Sequence, residues 1–311
     1  MWLAAAAVVV TLGVVVAFPL AVYTTTLAAF GLAHVLSELR YVDLRFGPRF
    51  GRALRIQLGV LLVGVAGSRL GVVTGLISGM TALRIELCLL AALVGVVFPV
   101  LARSRLSLGV GLMVGLGALA GMALSPIHTL LVLALAHNLT PLGFLAEVLP
   151  PERRAVGLGL GFGVFVGIPL VIATGLPYSV LASAGLAAPE AALLSVGSLS
   201  DHLHVYIPRA FHETPWALHA FSAVVFAQCM HYAAVLHVLP RLLPDGADAS
   251  RSVVPWPPQA VFVGAIALAS VAFLGVFAWD FGQARGVYGI VAAVHAWVEV
   301  PLLLVALAPR A

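Results

Sequence analysis

Nine long apolar stretches divide the chain, at residues 3–38, 54–75, 82–101, 107–124, 127–148, 155–176, 215–239, 258–279 and 286–308. A bilayer core about 30 Å thick needs roughly 20 apolar residues to be crossed as a helix, and each stretch meets or approaches that length. The pattern predicts an all-α fold, a polytopic transmembrane helix bundle of about 8 to 9 spans. The first stretch is too long for a simple crossing, and Pro19 predicts a kink or a break within it. Residues 190–208 interrupt the pattern. They follow Pro189, carry Ser200-Asp201-His202-Leu203-His204 and end at Pro208-Arg209, which reads as one re-entrant or interfacial helix that lids or lines a site.

Composition agrees with this reading. Hydrophobic residues make up 62% of the 311 and charged residues 9%, far from the charged fraction of about 25% typical of soluble domains. No polar stretch is long enough to fold separately in water, so residues 1–311 read as a single integral membrane domain with the lipid bilayer as its first partner. No internal repeat of the transporter type stands out. Cys88 and Cys229 both lie in apolar runs and form neither a disulfide framework nor a zinc-finger spacing.

All 16 basic residues are arginine. With the loop after the first span placed inside, Arg40, Arg45, Arg49, Arg52 and Arg55 lie on that face, and alternation adds Arg103, Arg105, Arg153, Arg154, Arg241, Arg251 and Arg310. That distribution assigns the positive charge to orientation and excludes nucleic acid as a partner. It requires that 190–208 not cross. Met1-Trp2-Leu3-Ala4 leads directly into apolar sequence without a basic region, which predicts a retained helix with its N-terminus outside.

The chemistry lies with ten histidines, several of them deep in apolar stretches. Ionisable groups in hydrocarbon are costly, so where they recur they face one another or a cavity and mark a functional site. His34 and Glu38 are four apart and share a helix face; Glu38 either joins the site or pairs with Arg40 or Arg45 at the interface. His137 is central in its span, and Pro141 forbids the backbone bond back to residue 137, leaving a carbonyl free beside the imidazole. The competing role for His137 is a structural hydrogen bond between helices. Asp201 and His204 would face together on a helix, whereas His202 and His204 would share a face if extended; a solvated surface turn accounts for all three equally. His231 is the deeper of the pair His231 and His237, and His237 stands beside Pro240-Arg241 at the expected interface. His295 and Glu299 repeat the four-residue spacing, as a carboxylate orienting an imidazole or as a proton-relay pair. His128 lies toward a span end.

Familiar catalytic patterns are missing. Gly75-Leu76-Ile77-Ser78-Gly79 lacks the spacing of a nucleophile elbow. There is no His-Glu-x-x-His zinc motif, phosphate loop or dinucleotide fingerprint, and no clustered histidine boxes of the membrane desaturase type. A facing histidine pair holding b-type haem remains compatible with the layout.

Single histidines on separate helices, beginning with Gly31-Leu32-Ala33-His34 near the end of the first stretch, resemble the Brp/Blh family of bacterial membrane β-carotene cleaving oxygenases. The chain departs from that pattern in carrying Glu38 where an aspartate is expected shortly after the first histidine, and in a spacing of six rather than four between His231 and His237. The resemblance implies a bacterial inner (plasma) membrane location and a non-haem iron oxidoreductase, a dioxygenase acting on a hydrophobic small molecule such as an isoprenoid or acyl lipid. On this reading His34, His137, His231 and one of His202 or His204 bind the metal, iron or else zinc. Glu38, Asp201, His237, His295 and Glu299 would stand behind them or relay protons. A proton-coupled transporter or channel using the same His and Glu residues is the alternative from another class, with a haem-binding or purely structural subunit a further one.

Arginine counting makes a direct prediction about 190–208. With Cys88 and Cys229 replaced by alanine, single cysteines at Ala187 and at Glu213 should both be labelled by an impermeant thiol reagent from the outer face. Labelling from opposite faces would show that the segment crosses.

Overall fold

The computed structural model describes residues 2–243 and 252–307, and every regular element among them is helical. In chain order the helices are α1 (Trp2–Ala17), α2 (Pro19–Phe46), α3 (Arg52–Val73), α4 (Gly79–Val96), α5 (Arg105–Leu124), α6 (Pro126–His137) and α7 (Thr140–Val148). They are followed by α8 (Pro151–Ala173), α9 (Leu176–Ser183), α10 (Pro215–Leu242), α11 (Gln259–Trp279) and α12 (Phe281–Leu307). Eight of these are long and apolar enough to cross a membrane, and α6 with α7 reaches that length only as a pair bent by 41°, a broken span or a re-entrant loop. The chain is an integral membrane helix bundle. Outward-facing Val9, Val63, Leu160, Leu268 and Val271 are exposed, as expected of side chains that meet lipid rather than water.

The first stretch breaks as Pro19 predicts, with Phe18 between α1 and α2 and the proline in the first turn of α2, where its missing N–H costs nothing. The remaining 28 residues of α2 extend about 42 Å, enough to cross without α1. The stretch 127–148 is not one straight helix. Pro141 breaks it directly after His137.

Residues 190–208 do not form the expected helix. They contain one helical turn, Ser200–Leu203. Pro189 and Pro208 interrupt helical bonding at the two ends, and Gly197 adopts a left-handed φ of +81°, which L side chains rarely take. The segment stays at one end of the bundle. Ala188 donates its backbone N–H to Ala17 O at 2.8 Å, and the His202 ring sits edge-on to Tyr23 and Phe281 near the starts of α2 and α12.

Ion pairs gather the opposite end. Arg45 and Arg49 hold Glu147 at 3.0 and 2.7 Å, tying the ends of α2 and α7, while Asp43 accepts from Val253 N, Val254 N and Trp256 Nε1 just before α11. The basic residues after α2 and those flanking α7 therefore share a face, as the arginine count requires; Arg251 and Arg310 lie outside the described residues.

Two apolar cores fill the bundle. One joins α2, α3, α4 and α12 through Tyr41, Leu58, Leu90, Trp297 and Leu302. The other joins α1, the first half of α2 and α10 through Val16, Leu20, Phe221 and Phe226. Glu86 of α4 is fully buried and ionically paired with Arg69 at 2.6 Å, with Trp297 Nε1 donating to it at 3.3 Å. This pins α3, α4 and α12 together. A buried carboxylate stripped of such a partner typically costs about 3–5 kcal/mol. The polar centre lies between the two cores.

Candidate metal centre

Four helices each deliver one imidazole to the same place: His34 from α2, His137 from the end of α6, His231 from α10 and His295 from α12. One nitrogen from each lies within 4.8 Å of the others. Nitrogens bound to one ion at ~2.1 Å stand about 3 Å apart when adjacent and about 4.2 Å apart when opposite. His137 Nε2 and His295 Nε2 are 3.1 Å apart, the separation of adjacent ligands. The 4.8 Å limit on the set lies only roughly half an ångström beyond the separation of an opposite pair, within the reach of small side-chain rotations.

Local sequence explains each placement. α2 runs unbroken through the site, so His34 and Glu38 share its inner face. His34 Nδ1 lies 3.4 Å from the Phe30 carbonyl one turn back, and a proton on that nitrogen leaves Nε2 for the centre. Tyr232 stacks on the His34 ring at 4.1 Å. One turn earlier, Gly31 lets the ring of Tyr288 approach α2 closely: a Cβ there would stand 3.1 Å from Tyr288 Cε2, and that ring would have to shift by a few tenths of an ångström. His137 takes its position from the break before Pro141. The carbonyl expected to be free there is not, because the Thr140 hydroxyl donates to His137 O at 2.9 Å.

The two His-x-x-x-Glu pairs work across helices. Glu299 on α12 lies 3.0 Å from Nδ1 of His137 on α6. Glu38 on α2 lies 3.2 Å from Nε2 of His231 on α10 and 3.9 Å from Nε2 of His295. Each glutamate thus backs a histidine of another helix, the usual arrangement that fixes the tautomer of a metal-binding imidazole. Glu38 does not pair with Arg40 or Arg45: it is 1% exposed, Arg45 is taken by Glu147, and Arg40 donates to Gln259 and to Pro257 O.

A metal fits these residues. Both oxygens of Glu38, both of Glu299 and both nitrogens of His231 are buried without an aligned hydrogen bond, and oxygens of Glu38 and Glu299 approach within 4.8 Å of each other beside His295. Two carboxylates this close in a low-dielectric interior repel when both are ionised. Four neutral imidazoles, two carboxylates and one divalent cation sum to zero charge.

The remaining sequence candidates lie elsewhere. His295 belongs to the converging set rather than behind it. His202 does not: its Nε2 faces Val196 O at 2.8 Å and its ring fills the core against Tyr23, so that nitrogen holds a loop. His204 lines the mouth of the cavity described below, and burial pushes its pKa down. Asp201 accepts from Ser198 N at 2.9 Å and from its hydroxyl at 2.7 Å; those bonds hold its carboxyl below the usual range, and it serves the turn. His237 lies on the other side of α2, against a different pocket. A turn of π-helix at residues 234–238 adds to the rotation that separates it from His231.

The four histidines line one wall of a cavity of about 1160 Å³. Leu130, Leu131 and Ala134 of α6 line it beside His137, and Val205, Ile207, Pro208 and Arg209 line it from the loop before α10. Tyr206 donates to Gln228 Oε1 at 2.5 Å, and Gln228 Nε2 donates to the Tyr232 hydroxyl at 3.0 Å, linking the loop to the residue stacked on His34. Sequence reasoning singled out neither these tyrosines nor Arg69 and Trp297, which also border the cavity. No family model, no characterised protein and no solved structure matches this chain.

The geometry separates the histidines into groups by metal content. Alanine at His34, His137, His231 or His295 should each remove the metal, and any one should be as damaging as all four together, because a ligand set acts as a unit. Alanine at His202, His204 or His237 should leave metal content unchanged. Glu299→Gln should weaken metal binding about 10–100-fold. Elemental analysis of protein purified without chelator reads all of these, and graded, additive losses across all seven histidines would contradict a single centre.

Proposed function

We propose that this protein is a membrane-embedded, metal-dependent oxygenase acting on an apolar small molecule, with the metal held by His34, His137, His231 and His295. The observation that carries the reading is the convergence of four imidazoles, backed by Glu38 and Glu299, on a cavity whose lining combines aliphatic side chains such as Leu130, Leu131 and Ile207 with polar ones such as Arg69, His204 and Arg209. Nitrogen-rich sites with open positions suit iron, and bound iron supplies the redox chemistry with dioxygen that such a reaction needs. The charge balance favours one divalent ion per chain. Zinc suits the same nitrogens and would point to hydrolytic chemistry instead.

This chain's own residues supply the rest. Glu299 and Glu38 hold the histidine tautomers, and Tyr232 and Tyr288 keep the His34 side of the centre rigid. The walls of Leu130, Leu131, Val205 and Ile207 bind an apolar body and exclude water. An isoprenoid or acyl chain matches a cavity of this size and lining, in keeping with the resemblance through Gly31-Leu32-x-His34 to the Brp/Blh oxygenases. The arginine-rich end faces the cytoplasm of a bacterial plasma membrane, with the cavity mouth at the opposite end.

Proton-coupled transport would need a continuous path past the centre. Toward the arginine-rich end, Tyr41, Phe46, Phe144 and Leu239 are all buried and packed into one core, so the cavity ends at the histidines. That favours an enzyme over a channel.

The test is turnover. Detergent-purified protein loaded with ferrous iron should consume dioxygen only when a polyene or other isoprenoid is added, and should place label from ¹⁸O₂ in the product. Full turnover after chelation would refute the metal role. Histidine-dependent proton flux in liposomes without oxygen consumption would establish transport, and a Soret band would establish haem.

A further inference from the structure

A second pocket of about 410 Å³ lies across α2 from the metal centre, enclosed by α2, the end of α10 and α11. Its α2 wall runs from Ala29 to Tyr41, about twelve helical steps or about 18 Å. Half of a hydrocarbon core of about 30 Å is about 15 Å, so the slot is as long as one leaflet is deep. Phe30, Ala33, Ile266 and Ala267 make its length apolar. Arg40, Gln259 and His237 form its rim at the arginine-rich end, and Ser270, eleven residues along α11 from Gln259, lines it deeper in.

Three polar atoms of residues lining the slot are buried without a hydrogen-bond partner: Arg40 Nε, the Tyr41 hydroxyl and the Ser270 hydroxyl. Tyr41 is 1% exposed and Ser270 8%. Donors stripped of water in a membrane protein cost free energy unless an acceptor reaches them. Arg40 is held in place by Gln259, by Pro257 O at 3.3 Å and by the Phe262 ring, 4.4 Å below its guanidinium. Among the described residues no carboxylate lies within ion-pair distance of it, so it is a positioned cation without a counter-ion at the mouth of an apolar slot.

We infer that this pocket binds one anionic phospholipid of the arginine-rich leaflet, its phosphate at Arg40 and one acyl chain along the slot. The phosphate supplies the acceptor that Arg40 Nε lacks and the charge that Arg40 needs. The opposite ends of the two pockets and the intervening α2 keep this lipid apart from any substrate at the histidines. The site accounts for His237, which faces this rim and takes no part in the metal centre. It does not depend on the proposed oxygenase activity.

The test uses the intact protein in nanodiscs of phosphatidylglycerol and phosphatidylcholine, followed by native mass spectrometry of retained lipid. Wild type should keep one phosphatidylglycerol in preference to phosphatidylcholine. Arg40→Gln should lower that retention about fivefold, the loss of one basic contact. Ala267→Phe, which fills the slot without changing charge, should abolish it. Metal content should stay at the wild-type value in both variants, which also reports that they fold. Equal retention by all three proteins, wild-type retention in either variant, or no preference for the anionic lipid would overturn the assignment.

Discussion

Two carboxylates buried among four imidazoles are the constraint on which the rest of this bundle depends. Glu38 and Glu299 are 1% and 0% exposed, and neither is neutralised by an arginine. In an interior without water, such charge is tolerated only where a compensating charge and hydrogen bonds meet it. The helices are arranged accordingly. α2, α6, α10 and α12 must all reach one point, and each glutamate contacts a histidine on a helix other than its own. Loss of one helix position would leave a carboxylate unmatched, so the packing of the bundle and the integrity of the centre are one requirement.

The breaks in the helices serve the same requirement. α1 stops at Phe18, which frees α2 to run straight past the site with His34 and Glu38 on one face. Pro141 ends α6 at His137, and the Thr140 hydroxyl replaces the lost backbone donor, so the bend places an imidazole without leaving an orphaned carbonyl. Residues 188–208 then fold over the same end, held by Ala188 and His202. They cover the cavity with irregular backbone, which membrane proteins accept only where protein or a cavity surrounds it.

The fold was legible in the sequence because bilayer thickness fixes span length, and Pro19 marked the break between α1 and α2; Pro141 stood out for the bond it denies residue 137, and the bend it puts in 127–148 did not. The site was legible in part. His34, His137 and His231 stood out by depth, but His295 was placed behind the ligands because its spacing to Glu299 suggested an orienting pair within one helix. The pairing runs between helices, and spacing along one helix carries no information about which neighbour a side chain meets. The same limit applies to Glu38: Arg40 and Arg45 are its neighbours in sequence, yet Arg45 pairs with Glu147 on α7. His202 and His204 drew attention through a dense polar run, yet Pro189, Gly197 and Pro208 make that run a loop, and its His202 nitrogen is used by Val196 O.

The central claim is that four imidazoles on four helices bind one metal ion. X-ray absorption at the metal edge of the purified protein tests it most directly. The account predicts a nitrogen shell at about 2.1 Å with the multiple-scattering pattern of four imidazoles, lost together with the metal in His295→Ala. A shell with two or fewer imidazoles, or one unchanged by His295→Ala, would contradict it.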